Sequence, residues 1–182
     1  MTLFFTSDTH FRHAAILHHD RRPFVSVEEM EAEIIRRWNA RVRPRDTVYH
    51  LGDFAWGKAK VVAEILPRLN GHIHLIWGNH DHNTVRRMTE WASSQPYLEI
   101  KDGDDLVCLH HYAQRTWNRA RYGSYHLFGH SHGNLPPQGR SIDVGTCCWD
   151  YKPVTLAEIK ARLDGLGLLE LAGNEKAEAV NG

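Results

Sequence analysis

Short apolar runs, each closed by a cluster of polar residues, divide this chain. Residues 2–7, 46–51, 72–76, 105–109 and 125–128 are rich in β-branched, aliphatic and aromatic side chains. That is the pattern of strands buried in a sheet. Residues 97–100 and 105–109 flank the turn Asp102-Gly103-Asp104 and predict a hairpin, and residues 140–144 predict a last core strand. Helical spacing falls between the strands. Ser26, with Glu29 three positions on, marks a helix start. Met30, Ile34, Ile35 and Trp38 then recur on one face up to about Val42, before Pro44. Residues 58–69 present Val61, Val62, Ile65, Leu66 and Leu69 on one side, and residues 82–91 present Val85, Met88 and Trp91. Thr155 and Glu158 open a final helix over 156–163. Strands alternating with helices, with polar residues at the strand ends, predict a layered α/β sandwich with its active loops at one edge. The pattern predicts one domain over 1–164 and a tail over 165–182, in which Leu166, Leu168, Leu169 and Leu171 form a short terminal strand.

The polar clusters bring in the chemistry. The first run ends in Asp8-Thr9-His10. In extended backbone, residues two apart point the same way, so a carboxylate and an imidazole converge on one spot. The second ends in Gly52-Asp53, where a carboxylate can bridge two cations with its two oxygens. The third ends in Gly78-Asn79-His80-Asp81, in which the Asn carbonyl is a weak neutral ligand and the His can move a proton. His110 and His111 close the fourth, and adjacency allows only one of them to face the same centre. Gly129-His130-Ser131-His132 closes the fifth and is the most specific local signal, a chelating His-x-His pair. His13 lies near the same mouth, and with Arg12 it is a candidate for substrate contact. Residues 114–123 read as a polar, substrate-facing loop.

Composition sharpens this picture. Fourteen histidines in 182 residues argue for metal or proton chemistry. Formal net charge is zero, so bulk charge implies no nucleic-acid surface; Arg36, Arg37, Arg41, Arg43 and Arg45 read most simply as a solvated face. The three cysteines include an adjacent pair and form no Cys-x-x-Cys, which argues against a disulfide framework and a thiolate zinc site. The N-terminus has no secretory pattern and no apolar run is long enough to span a membrane, so a soluble, reducing, cytoplasmic setting is expected.

The five clusters in this order resemble the calcineurin-like metallophosphoesterase family, in particular its small, cap-less bacterial and phage members, over residues 1–163. These share segments similar to Phe5-Thr6-Ser7-Asp8-Thr9-His10-Phe11, Asp46-Thr47-Val48-Tyr49-His50-Leu51-Gly52-Asp53-Phe54 and Asp150-Tyr151-Lys152-Pro153-Val154. The resemblance implies a four-layer α-β-β-α sandwich with mixed sheets. It implies one divalent cation held by Asp8, His10, Asp53 and His132, and a second held by Asp53, Asn79, His111 and His130. His111 is preferred to His110 because the family's ligand commonly precedes a Tyr. Ala113 stands where the family often has Pro, and Arg12 where it often has Gly.

The expected activity is hydrolysis of a phosphate ester by water activated between two metal ions, Mn²⁺ first, with Fe, Zn²⁺ or Ni²⁺ also suited to the ligands. His80 is the expected general acid, oriented by Asp81. A phosphodiesterase is favoured because no sizeable insertion encloses the site. A phosphomonoesterase or a nuclease on the same site is the alternative. The rival from another class is a non-catalytic interaction module, the role of the retromer subunit with this fold.

Overall fold

A computed structural model describes residues 1–169. Two four-stranded sheets face each other. The first takes β1 (Leu3–Thr6), β2 (Thr47–His50), β3 (His72–Ile76) and β4 (Ser93–Gln95) in that order, all parallel. The second takes β5 (Tyr97–Asp102), β6 (Asp105–His110), β7 (Tyr125–Phe128) and β8 (Ser141–Asp143); its hairpin β5–β6 is antiparallel and the remaining pairs are parallel. The mixed character therefore resides in the second sheet.

Alternation along β1 shows how one strand serves two cores. Phe4 packs with Met30, Ile34 and Trp38 of α2 (Val27–Arg41), while its neighbour Phe5 packs with Leu51, Ile76, Leu109 and Leu127 between the sheets. Helix α2 starts as its sequence predicts, with Ser26 accepting the Glu29 amide. Helix α3 (Ala59–Ile65) covers the same face. Helix α5 (Leu156–Gly165), closed at its start by a reciprocal Thr155–Glu158 capping box, seals the inter-sheet core with Leu156, Ile159 and Leu163. The outer face of the second sheet is covered by the segment following β6, where Trp117 lies 5.3 Å from His126 and Asn118 accepts from Cys108.

Three expectations change. The helix over 82–91 is only one turn, α4 (Asn83–Arg86); the chain then folds back so that Trp91 donates to Val85 O and Ser94 to Arg86 O. The polar edge strand β4 and the short α1 (Ile16–His19) carry too little apolar pattern to announce themselves. Leu168 and Leu169 pack against the inter-sheet core in helical backbone, not as a strand, and Leu171 lies outside the described residues. Among the described residues no helix is long and apolar enough to cross a membrane.

Parallel β1, β2 and β3 all end at one edge, and so do parallel β6 and β7. The chain after β8 returns to the free side of β1, through Thr146 N–H to Ser7 O (2.9 Å) and paired bonds between Phe5 and Val154. This stitching holds the two strand-end edges against each other.

Candidate metal centre

Each strand end turns sharply as it leaves its sheet. Asp8, His10, Asp53, His130 and His132 all have positive φ, between 48° and 65°. Left-handed backbone is costly for residues with a Cβ and persists where the surroundings dictate it. Asp8 and His10 thus converge through a coiled turn rather than the extended backbone expected of them.

Glycine makes the close approach of the loops possible. A Cβ on Gly78 would lie 2.2 Å from Asp53 Oδ1, one on Gly52 2.4 Å from Gly78 N, and one on Gly129 2.1 Å from Ser7 Oγ.

Two groups of donor atoms result, Asp8–His10–His132 and Asp53–His111–His130, each with its atoms within 4.8 Å of one another. In the first, Asp8 Oδ1 is 4.0 Å from His10 Nε2 and 3.6 Å from His132 Nε2. In the second, His111 Nε2 is 3.6 Å from Asp53 Oδ2 and 2.9 Å from Asn79 Oδ1. Two ligands each about 2.1 Å from one cation stand roughly 3.0–4.2 Å apart, so these spacings suit a shared ion.

Asp53 joins the groups. Its Oδ2 is 3.7 Å from His10 Nε2 as well as 3.6 Å from His111 Nε2. Its Oδ1 accepts the His80 amide at 2.8 Å, so the atom between the groups is a single oxygen rather than the pair expected. Asp8 Oδ1 and His10 Nε2 are buried and have no hydrogen-bond partner. Orphaned polar atoms aimed at a common point are costly unless something fills it, and a cation fits this donor set.

Burial pushes the His10 and His111 imidazoles below their ordinary range, which keeps them in the neutral, ligating form, and pushes the Asp8 carboxyl up. His111 Nδ1 donates to Leu51 O (2.7 Å), leaving Nε2 free. His110 instead engages Tyr112 O with its Nδ1, so His111 is the residue that joins the cluster.

The sequence from residue 1 to 143 matches the family model for the calcineurin-like phosphoesterase superfamily domain. The chain belongs to that superfamily. An uncharacterized protein of Methanocaldococcus jannaschii is 35% identical over 163 residues, 85% of this chain and 86% of its own. A protein of unknown function from Aquifex aeolicus shares the fold, with a TM-score of 0.69 at 24% identity over 87% of this chain and 97% of that one. Membership makes the chain one of a superfamily of metal-dependent hydrolases of phosphate esters, and the two donor groups are its candidate metal sites.

In this phosphoesterase, His80 sits beside the Asp53 carboxylate that lies between the two groups, with Nε2 3.9 Å from Asp53 Oδ2 and its side chain 37% exposed. Asp81 does not orient it. Both Asp81 oxygens accept backbone amides, from Asp53 (2.9 Å), Phe54 (3.1 Å) and Gly78 (2.8 Å), so Asp81 clamps two ligand loops together. Arg12 turns away toward Glu31 and Glu64, and its positive φ of 62° explains why glycine suits that position. His13 stays at the mouth, with Nδ1 3.2 Å from His10 Nδ1.

Four residues at the site escaped the sequence reading. Arg22 is buried and donates to Asp8 O (2.8 Å), Thr9 O (3.0 Å) and Asp20. Asp20 in turn accepts from His132 Nδ1. Asp143 braces the His130–Gly133 turn by accepting from Ser131 Oγ (2.5 Å) and the Gly133 amide (3.0 Å). Trp56 stacks on His13. The Asp143 that ends β8 carried a faint signal, as another acid at a strand end. The others depend on contacts no local pattern records.

Proposed function

We propose that the chain is a phosphodiesterase with a dinuclear metal centre. Asp8, His10, Asp53 and His132 hold one divalent ion, and Asp53, Asn79, His111 and His130 hold the other. Mn²⁺ is the first choice, with Fe, Zn²⁺ or Ni²⁺ compatible with the same imidazole and carboxylate donors. The observation that carries this reading is Asp53 Oδ2, which stands within 3.9 Å of the Nε2 atoms of His10, His80 and His111. When bound, the metal pair supplies an activated water nucleophile and neutralises charge on the phosphoryl oxygens.

The protein's own groups do the rest. Buried His10 and His111 present neutral imidazoles, and Leu51 O fixes the ring of His111. The backbone hydrogen bond from His80 N to Asp53 Oδ1 holds the His80 ring beside the place where the ester oxygen leaves. His80 donates its proton to that oxygen and regains one from solvent, to which it is exposed.

The preference for a diester rests on openness. Asn79, His80 and His130 are exposed, and the described residues place no cap over them. A phosphomonoesterase is the alternative on the same residues. A nuclease draws less support from the arginine face, because Arg36 and Arg37 pair with Glu33 and Arg41 pairs with Glu158. The cysteines are free thiols, which supports a reducing, cytoplasmic setting. A binding module on this fold has no need of His80 beside a bridging carboxylate. The test is turnover of bis(p-nitrophenyl) phosphate and p-nitrophenyl phosphate after EDTA treatment and Mn²⁺ reloading. Metal-dependent turnover with the diester preferred supports the proposal; no turnover of either ester after reloading refutes it.

A further inference from the structure

We propose that Trp56 selects the substrate by stacking on a nucleobase carried by the leaving group. The inference rests on the phosphoesterase reading and adds to it a substrate class, nucleotide esters.

Trp56 is a large apolar side chain left 52% exposed directly beside the site. Its indole lies parallel to the His13 ring, 4.3 Å away and 14° from coplanar. His13 is braced in turn against the cluster through His10. The Trp56 amide donates to Phe11 O at 2.8 Å, beside the Phe11–Ala55 bridge, so the backbone beneath the ring is fixed. One indole face is therefore held by His13 and the ring still presents about half its surface to solvent. A rigid, anchored aromatic platform is what base stacking needs, because little side-chain entropy is lost when a flat ligand lands on it.

The position says which part of a substrate meets it. The indole centroid is 5.3 Å from the His80 ring. A proton from His80 goes to the leaving oxygen, so the leaving alcohol lies on the His80 side of the phosphorus. Tyr112, the other exposed aromatic at the site, packs edge-on against His130 at 4.6 Å and His111 at 5.0 Å, beside the second donor group. Trp56, the exposed aromatic packed beside His80, is therefore the one placed to meet the departing group. A nucleoside puts a flat ring a few bonds from the ester oxygen, within reach of the indole; an aliphatic alcohol has nothing to stack.

Adenosine 5′-monophosphate and ribose 5-phosphate share phosphate and sugar and differ only in the base. Their dissociation constants are measured by titration calorimetry on the Mn²⁺-loaded protein, and their inhibition constants against bis(p-nitrophenyl) phosphate by initial rates. The wild type is expected to bind the nucleotide about tenfold or more tightly than the sugar phosphate. Trp56→Ala brings the ratio close to one by weakening the nucleotide alone, and Trp56→Phe retains most of it. Equal binding of the two ligands by the wild type, or a ratio that Trp56→Ala leaves unchanged, overturns the proposal. If neither bis(p-nitrophenyl) phosphate nor p-nitrophenyl phosphate is hydrolysed, the phosphoesterase reading fails, while the calorimetric ratio still decides the role of Trp56.

Discussion

Asp20 accepts a hydrogen bond from His132 Nδ1, which leaves His132 Nε2 facing Asp8 Oδ1 across 3.6 Å. Arg22, buried behind them, holds Asp20 with one edge of its guanidinium and the Asp8 carbonyl with another. A carboxylate behind a ligating imidazole fixes its tautomer and orientation, and losing one typically weakens metal binding about 10–100-fold. Asp20→Asn should therefore lower affinity at the Asp8–His10–His132 group by that factor and spare the other. Competition titration with a chelating dye, resolved into two sites, measures it. Equal affinity in the variant would show that His132 needs no such support.

The same pair sets a pH dependence. Burial works against a charged His132, but the hydrogen bond to Asp20 prevails and lifts the imidazole from its ordinary 6.5 to about 10 in the metal-free fold. Its share of stability is fully present below 6.5 and is lost as pH rises through about 10. A cation at Nε2 must displace that proton, so binding near neutral pH should release it, and affinity should rise with pH up to about 10. Calorimetry in buffers of different ionisation enthalpy counts the protons. A buffer-independent heat would contradict the assignment.

His80 and Asp81 are neighbours with separable roles. His80→Ala should retain both metals and the native melting temperature while cutting diester turnover about 10²-fold or more. Asp81→Ala strands three buried amides and should cost about 3 kcal/mol or more of stability. Thermal melts and metal analysis of the two variants separate the cases. A destabilised His80→Ala, or a fully stable Asp81→Ala, would reverse these roles.

Gly78→Ala puts a methyl group 2.2 Å from Asp53 Oδ1 and 2.3 Å from the Asp53 backbone nitrogen, so the Asp53 loop itself must shift. Loss of metal from an otherwise folded protein is expected, read by elemental analysis beside circular dichroism. Full metal content would mean the loops are looser than their spacing indicates.

The candidate ligands were legible as a set because each follows a buried strand, and an apolar run broken by Gly, Asp or His is a local pattern. β3 and β7 fall on residues 72–76 and 125–128 as their sequence predicts. β4 was not legible, since Ser93-Ser94-Gln95 holds its place by pairing with β3 rather than by apolar content. Asp81 was misread for a related reason: its neighbour in sequence is His80, but its partners Asp53 and Phe54 lie 28 and 27 positions away. Asp20 meets His132 across 112 positions, a relationship fixed only once the sheets are stitched together.

The proposed chemistry requires two cations that share Asp53. Crystals grown with Mn²⁺ and measured at the manganese absorption edge address this directly. Two anomalous peaks are predicted, one among Asp8, His10 and His132 and one among Asn79, His111 and His130, with Asp53 touching both. A single peak, or none at these residues in protein saturated with the metal, would contradict it.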